Sequence, residues 1–324
     1  MKVLITGGAG FIGSHLADRC IAGGDSVVAL DDLSTGRLEN IAHLLGHKQF
    51  QFVEGSIMDA RLVERLVCEC DEIYHMAAAI GMRLVVGTPL QTFKTNVHGS
   101  EVVLSAAAAH GRRVLLASTS EVYGLNEHRP TREDELSVLG LTTKARWTYA
   151  YSKAAAEVLA MAYHHDQNLQ VTLVRLFNTV GTRQTGRYGM VIPTFVQQAL
   201  DGRPLTVHGD GSQTRCFGDV NEIVDALTML MHHPLSVGQL FNVGNHREIS
   251  ILDLAQRVIQ LTESSSPIVF VPHDHVYGAG FDEIQRRVPN IAKARTLIGF
   301  DPKTRIDTIL ENVIAERKQK RIAI

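Results

Sequence analysis

The sequence lacks a block of basic residues. Its 32 Lys and Arg nearly balance its 34 Asp and Glu, which leaves a formal net charge of −2. A nucleic acid or an anionic membrane surface is therefore not expected as a partner. No apolar run reaches the length that a membrane-spanning helix needs. Hydrophobic residues still make up 45% of the 324-residue chain, enough for a sizeable core in one large or two modest domains.

Cysteine is also scarce. The four cysteines, Cys20, Cys68, Cys70 and Cys216, show no C-x-x-C spacing. This favours reduced thiols, and with them a cytoplasmic protein. A strand-like segment opens the chain directly, so we expect no signal peptide. We interpret His273-Asp274-His275 as loop or helix-surface residues and predict no metal.

A glycine-rich turn follows the first apolar segment. Residues 3–5 are typical of a buried strand, and Gly7, Gly10 and Gly13 follow before a helical pattern that starts at Ser14. Glycines at this spacing let the backbone turn tightly and approach a pyrophosphate, which then faces the amino end of the helix. On its own, such a motif can be no more than a turn.

A second predicted strand supports the interpretation of the glycines as part of a dinucleotide site. Residues 26–30 end in Asp31 and Asp32, about 20 residues after the glycines. An acid at this place can accept both ribose hydroxyls of NAD and would repel the additional phosphate of NADP. We predict this role for Asp31 and a position near the adenosine for Asp32. An aspartate that only caps a helix before Leu33 is the alternative.

Strand and helix patterns alternate through the first half of the chain. This predicts an α/β fold, a Rossmann-type doubly wound parallel sheet with a smaller C-terminal substrate-binding lobe. The expected domains are an NAD-binding domain over residues 1–177, with a return to the sheet around 205–245, and a lobe over 178–324. Further strands are expected over residues 50–53, 72–76, 114–118 and 171–175.

Polar residues follow the predicted strand at residues 114–117. Ser118-Thr119-Ser120-Glu121 should therefore lie at the carboxyl end of the strand, where open α/β sheets bind ligands. Further along, Tyr149 and Lys153 are spaced i and i+4 on one helix face. An ammonium beside a phenol lowers its pKa and makes it a base near neutral pH, and Thr119 opposite could share the proton of a substrate alcohol.

Together, these motifs resemble the extended short-chain dehydrogenase/reductase family, largely NAD-dependent nucleotide-sugar epimerases, dehydratases and decarboxylases. The resemblance covers nearly the whole chain. It implies bound NAD, oxidation of a sugar hydroxyl, usually at C4, alteration of the ketone, and return of the hydride. It also implies a set of residues that contact the cofactor. These are Gly7, Gly10, Phe11, Ile12, Gly13, Asp31, Asp32, Ser56, Ile57, Ala77, Tyr149 and Lys153.

The same resemblance implies substrate contacts in the second half of the chain. Asn178 is similar to the family asparagine that contacts the sugar diphosphate. Arg215, at the end of residues 209–215, is similar to the arginine that holds the phosphates as a forked donor. We also assign Arg183 to the substrate. A surface salt bridge is the alternative for Arg215.

Two segments are most similar to UDP-glucuronate decarboxylases. Residues 118–124 together with 146–149 carry one part of this likeness. Residues 277–282 and 286–289 resemble the arginine segment of those enzymes, with Arg287 as the matching arginine. A tandem arginine that merely faces solvent is the alternative for Arg287.

The resemblance implies a defined chemistry. A C4 ketone lies β to the C5 carboxylate, so carbon dioxide can leave and an enolate remains. Arg287 would bind the carboxylate, and Glu121 and Ser120 would manage protonation at C5. A UDP-pentose such as UDP-xylose results, unless the 4-keto pentose leaves together with NADH. The implied catalytic residues are Thr119, Ser120, Glu121, Tyr149, Lys153 and Arg287.

Other functions stay open at this point. A 4-epimerase acting on a UDP-hexose or UDP-hexuronate needs the same Thr119, Tyr149 and Lys153. A sugar-nucleotide 4,6-dehydratase ranks behind it, and a non-catalytic NAD-binding protein is the alternative from another class. The resemblance also implies a homodimer through the helix that carries Tyr149 and the helix before it, with alanines at residues 106–109 and 154–156 permitting close approach.

Overall fold

The computed structural model describes residues 1–126, 130–187, 189–277 and 282–322. Fourteen strands lie in these ranges, and five of them are only two or three residues long. The strands are β1 (Lys2–Thr6), β2 (Ser26–Asp31), β3 (Phe50–Glu54), β4 (Glu72–His75), β5 (Arg113–Thr119), β6 (Val171–Leu176), β7 (Thr179–Val180), β8 (Leu205–His208), β9 (Thr214–Cys216), β10 (Gly218–Asp219), β11 (Gln239–Val243), β12 (Glu248–Ser250), β13 (Ile268–Val271) and β14 (Arg286–Arg287).

Helices connect the strands and form the lobe. Short 3₁₀ turns add to them, among them Ser120–Tyr123 and Ala145–Trp147. The helices are α1 (Phe11–Ala22), α2 (Ala60–Cys68), α3 (Met82–Gly87), α4 (Pro89–Ala109), α5 (Thr148–Gln167), α6 (Val191–Leu200), α7 (Val220–His232), α8 (Ile251–Thr262), α9 (His273–Tyr277), α10 (Ala292–Ile298) and α11 (Ile306–Ile322).

Seven parallel strands form the central sheet, in the order β11-β6-β5-β4-β1-β2-β3. Helices cover both faces, so the strands are buried on both sides and appear in the sequence as continuous apolar runs. The chain winds outward from β1 to β3 and returns at β4. The crevice at the carboxyl ends of β1 and β4 is therefore the topological switch point at which such sheets bind ligands. The predicted fold class is confirmed.

The apolar core has separate parts for the sheet and for the lobe. One cluster lies on each face of the sheet, with Leu16 on one side and Leu104 on the other. A third cluster, which includes Phe195 and Leu310, holds α6, α8 and α11 together in the lobe. The division into two domains stays a prediction.

The expected return to the sheet around 205–245 is correct for one strand and wrong for another. Strand β11 joins the sheet beside β6, with Phe241 paired to Val174. Strand β8 instead pairs with β13 in a separate two-stranded sheet. The reason is packing, because Leu205 and Val207 point into the core of the lobe.

None of the helices in the described ranges is long and apolar enough to cross a bilayer.

Candidate active site

A cavity of about 690 Å³ opens at the carboxyl ends of the sheet strands and continues beneath the lobe. It brings together nearly all of the site residues that the sequence predicts. The predicted residues that line it are Gly7, Gly10, Phe11, Ile12, Gly13, Asp31, Asp32, Ile57, Ala77, Thr119, Ser120, Glu121, Tyr149, Lys153, Asn178, Arg183, Arg215 and Arg287.

The glycine turn leaves room where a side chain would block the cavity. Gly7 has a φ of +70°, and a Cβ there would lie 2.9 Å from the backbone of Ala77. A Cβ on Gly13 would lie 2.1 Å from the carbonyl oxygen of Gly7. Gly10 is the N-cap of α1, so the unpaired N–H groups of the first helical turn face the cavity. This cradle fits the pyrophosphate of a dinucleotide.

Asp31 lies at the end of β2 and contacts the glycine turn. Its carboxylate accepts hydrogen bonds from the N–H groups of Ala9, at 3.0 Å, and Leu33, at 2.8 Å. Burial raises its pKa, although these backbone donors oppose the rise. No helix begins at Leu33, and the next helical turn is Leu38–Asn40, so the helix-cap alternative is wrong. Asp31 lines the cavity, and its contact with a ribose stays a prediction.

Ser56 is the exception among the predicted cofactor contacts. It is absent from the cavity lining, although its neighbours Gly55 and Ile57 belong to it. The Ser56 hydroxyl instead accepts a hydrogen bond from the N–H of Met58, at 3.2 Å. A short polar side chain therefore satisfies its own turn rather than reaching the cavity.

Tyr149 and Lys153 lie one turn apart on α5, and both are almost fully buried. Thr119, at the end of β5, lies close enough to the Tyr149 phenol to lower its pKa. The expected fall in the pKa of Tyr149 is not found. Burial and the charge of Glu121 raise the pKa of this phenol, while Thr119 lowers it only in part. Burial also lowers the pKa of Lys153 to about 8, against the opposing charge of Glu157.

Glu121 is held by two arginines from different parts of the chain. Its Oε2 lies 2.8 Å from Nη1 of Arg146, and its Oε1 lies 2.8 Å from Nη2 of Arg287. Burial would raise the pKa of Glu121, but the charges of Arg287 and Arg146 lower it to about 2. Glu121 is therefore an anion in this arrangement and cannot donate a proton until one arginine withdraws.

Arg215 also faces the cavity and pairs with a carboxylate. Its Nη2 lies 2.5 Å from Oε1 of Glu283, and only 13% of its side chain is exposed. Burial and the neighbouring charge of Arg287 lower the pKa of Arg215. The pair is thus part of the cavity wall and not the surface salt bridge of the alternative interpretation.

Two adjacent arginines on β14 point in opposite directions, as alternate strand residues do. Arg286 bonds Glu248 on the outside and is 34% exposed, whereas Arg287 is 11% exposed and turns inward. The solvent-facing alternative therefore fits Arg286 and is wrong for Arg287. Of the resembling segment before it, residues 278–281 lie outside the described residues.

Asn178 and Arg183 line the cavity but have protein partners. Asn178 donates to the carbonyl of Cys216 at 3.5 Å. Arg183 bonds Asp18 of α1 at 2.7 Å through Nη2, while its backbone N–H donates to Glu316. A role in substrate binding stays a prediction for both.

Comparisons with known proteins agree with this geometry. The family model described as GDP-mannose 4,6 dehydratase matches residues 4–313. The chain belongs to this family. Its membership confirms the predicted place among the extended short-chain dehydrogenases/reductases.

Similar proteins in this family include decarboxylases and an epimerase. The chain is 39% identical to UDP-N-acetyl-alpha-D-glucosaminuronate decarboxylase of Bacillus cytotoxicus, over 97% of this chain and 96% of that protein. It is 39% identical to UDP-glucuronic acid decarboxylase 1 of Danio rerio, over 97% of this chain and 72% of that protein. The solved UDP-glucuronic acid 4-epimerase of Bacillus cereus, in complex with UDP-glucuronic acid and NAD, has a TM-score of 0.89 at 28% identity. That comparison covers 99% of this chain and 100% of the epimerase.

Three side chains in or next to this cavity were not predicted from the sequence. Arg146 lies in the segment 146–149 that resembles the decarboxylases, but the resemblance implies no role for it. Asn96 accepts from the N–H of Ala79 at 2.8 Å and donates to Ser152 of α5 at 3.0 Å, which ties the cavity wall to the catalytic helix. Glu157 is the third, and its i+4 spacing from Lys153 was a visible signal.

Proposed function

We propose that this protein binds NAD and decarboxylates a UDP-hexuronate to a UDP-pentose through a 4-keto intermediate. UDP-glucuronate and its 2-acetamido counterpart are the candidate substrates, because the similar decarboxylases are named for these sugars. The whole-chain identity to both decarboxylases supports this proposal, as do the glycine cradle and Asp31 at the cavity.

Tyr149 and Thr119 are the groups that would handle the proton of the 4-hydroxyl. NAD, when bound, would accept the hydride of C4 and later return it. Tyr149 would take the hydroxyl proton, and the Thr119 hydroxyl, which lies near the phenol, would share it. Lys153 lies one helical turn away and would compensate the negative charge that forms on the phenol. The raised pKa of Tyr149 means that the phenol is protonated in this arrangement. Tyr149 must therefore release its own proton to solvent first, and only the phenolate then accepts the proton of the 4-hydroxyl.

A single observation favours decarboxylation, namely the place of Arg287. Its guanidinium lies against Glu121 and is close enough to Tyr149 to lower the pKa of that phenol. A guanidinium at this position can bind the sugar carboxylate in a forked geometry. Once C4 is a ketone, the C5–carboxylate bond breaks, carbon dioxide leaves, and the electron pair is delocalised into an enolate. A cation beside that enolate stabilises the developing charge.

The experiment is a panel of UDP-sugars, analysed by mass spectrometry of the products. We expect UDP-glucuronate or its 2-acetamido counterpart to lose carbon dioxide and give a UDP-pentose or its 4-keto form. UDP-glucose should give no product lighter by carbon dioxide. A panel in which neither UDP-hexuronate loses carbon dioxide would contradict the proposal.

A 4-epimerase is the second candidate, and one observation favours it. The UDP-glucuronic acid 4-epimerase of Bacillus cereus shares the fold over its full length and is named with the same sugar. This function predicts UDP-galacturonate, with no change in mass. Chromatographic separation of the UDP-hexuronates from the panel distinguishes it from decarboxylation.

We also propose a homodimer formed through α4 and α5. The outward faces of both helices carry exposed apolar side chains, Leu90 and Phe93 on α4 and Val158 and Met161 on α5, with Leu90 68% and Val158 69% exposed. Burying such side chains between two copies would be favourable. The alanine rationale needs revision, because Ala106, Ala107 and Ala156 are buried within one chain. Light scattering tests the proposal, with Val158→Asp as the variant expected to give a monomer.

A cytoplasmic location is proposed as well. All four cysteines lie in described segments and are free thiols, and three of them are buried. Such thiols suit a reducing compartment. Cell fractionation tests this, and recovery of the protein from a secreted fraction would contradict it.

A further inference from the structure

The two arginines that hold Glu121 differ in how firmly they are themselves held. Arg146 lies in the 3₁₀ turn Ala145–Trp147, immediately before the helix that carries Tyr149. Its side chain is 6% exposed, and its guanidinium lies 4.9 Å from the ring centre of the fully buried Trp147. Trp147 is fixed in turn, because its Nε1 donates to Asp282 at 2.8 Å. Arg146 is therefore anchored by packing as well as by its ion pair.

Arg287 is held less completely. It lies on the two-residue strand β14 and contacts Glu121 through Nη2. Its Nε is buried without a hydrogen-bond partner among the described residues. A buried N–H donor without a partner is costly, so this guanidinium has an unused donor available to an incoming anion. Arg287 can therefore leave Glu121 for a substrate carboxylate, or contact both carboxylates at once. Arg146 meanwhile stays in place.

We propose that Arg146 is a positioning residue, which keeps Glu121 beside the reacting carbon while Arg287 turns to the substrate carboxylate. This inference rests on the proposed function and extends it to the protonation step. Arg146 does not itself contact the reacting atoms. It acts through Glu121, whose second oxygen it holds throughout the exchange.

The exchange changes what Glu121 can do. With both arginines in contact Glu121 is an anion, but loss of Arg287 to a second carboxylate favours its protonated form. Decarboxylation breaks the bond between C5 and the carboxyl carbon, and the electron pair stays with C5 and the C4 ketone as an enolate. Glu121 then gives its proton to C5, and solvent restores that proton. The one proton consumed overall thus enters through Glu121.

The fixed place of Glu121 predicts protonation from one side only. When the reaction runs in D2O, the UDP-pentose should carry deuterium at one of the two hydrogen positions of C5. Without Arg146, Glu121 would lose its second contact, protonation would lag behind decarboxylation, and the ketone would leave before reduction. A residue that supports only the fold would not change where deuterium is placed.

The test compares wild type, Arg146→Met, Arg146→Lys and the control Arg286→Met, with UDP-glucuronate and its 2-acetamido counterpart in D2O, by NMR of the product. In Arg146→Met we expect deuterium at both C5 positions. We also expect the fraction of 4-keto product to rise at least about tenfold, which corresponds to the free energy of one lost hydrogen bond between charged groups. Arg146→Lys should restore much of the selectivity. Arg286→Met, which removes an outward ion pair of the neighbouring residue, should match wild type.

The outcomes separate this inference from the function on which it rests. If wild type releases no carbon dioxide from either UDP-hexuronate, the proposed function fails and the role of Arg146 fails with it. If wild type releases carbon dioxide and Arg146→Met still labels one position with an unchanged 4-keto fraction, the function stands and the role of Arg146 is refuted. Should Arg146→Met not fold, Glu121→Gln takes its place. It leaves Arg146 stacked on Trp147, and wild-type labelling in this variant would equally refute the proposal.

Discussion

Arg287 lies directly beside Arg215 on the paired parallel strands β14 and β9. Each guanidinium contacts a carboxylate of this chain, Glu121 for Arg287 and Glu283 for Arg215. Burial and, next to it, the charge of Arg287 both lower the pKa of Arg215. A UDP-hexuronate carries a diphosphate and a carboxylate, so it could supply an anion to each arginine. The pairing thus suits a substrate with two separate anionic groups.

Arg287→Met tests the part of this relationship that concerns the carboxylate. We expect affinity for UDP-glucuronate to fall by about 10- to 100-fold, the range for lost hydrogen bonds between charged groups. Affinity for UDP should stay unchanged, because UDP has no sugar carboxylate. Isothermal titration measures both, and Arg286→Met is the matched control. An equal loss of affinity for UDP and UDP-glucuronate would show that Arg287 does not bind the carboxylate.

Tyr149→Phe tests the proton transfer at the 4-hydroxyl. Removing a general acid–base group should lower kcat by about 10²- to 10⁴-fold. Tyr151→Phe is the control on the same helix, since its hydroxyl only donates to the carbonyl of Gly140 at 2.9 Å. Steady-state kinetics with UDP-glucuronate measure both variants. The role of Tyr149 is refuted if Tyr149→Phe and Tyr151→Phe turn over alike.

The pKa of Lys153 predicts how kcat changes at alkaline pH. Its pKa is lowered to about 8, so the ammonium is present below that pH and is lost above it. We therefore expect kcat to decline as the pH rises past about 8. The charge of Glu157 raises the pKa of Lys153, so Glu157→Gln should move the decline to lower pH. A decline that stays at the same pH in Glu157→Gln would contradict this coupling, provided that circular dichroism shows a native fold.

Gly13→Ala tests the cradle for the dinucleotide. The added Cβ would lie 2.1 Å from the carbonyl oxygen of Gly7, so the turn must shift. We expect a loss of about 1–3 kcal/mol in the free energy of unfolding, typical of overpacking, together with weakened NAD binding. Gly87→Ala is the control, because nothing lies within 4 Å of a Cβ at that position. Urea unfolding and NAD titration measure the two effects, and a Gly13→Ala variant that matches Gly87→Ala would refute the close contact.

Local patterns were sufficient to predict the fold and the cavity-lining residues of the glycine turn, together with Asp31. The glycines, the strand that ends in Asp31, and the Tyr149–Lys153 spacing are each set by a short stretch of chain. Parallel strands then bring their carboxyl ends to one edge without further information. The Ser56 side chain bonds its own turn and does not line the cavity, and no pattern in the sequence distinguishes such a serine from one that contacts a cofactor.

Electrostatic relationships were not predictable in the same way. The contacts of Glu121 join positions 121, 146 and 287, which only the folded chain brings together. The pKa of Tyr149 was expected to fall because of Lys153, yet burial and Glu121 raise it. Burial depends on what covers a side chain, and the cover here includes the lobe. Strand β8 was misplaced for a related reason, since its apolar residues fit either core.

Carboxyl-labelled UDP-glucuronate and its carboxyl-labelled 2-acetamido counterpart test the central claim most directly. With ¹³C in the carboxylate and NAD present, NMR follows the label during one incubation. Decarboxylation predicts that the label leaves the sugar and appears as carbon dioxide and bicarbonate, in wild type but not in Tyr149→Phe. A label that stays on the sugar with both UDP-hexuronates, whether the sugar is unchanged or converted to its 4-epimer, would contradict it.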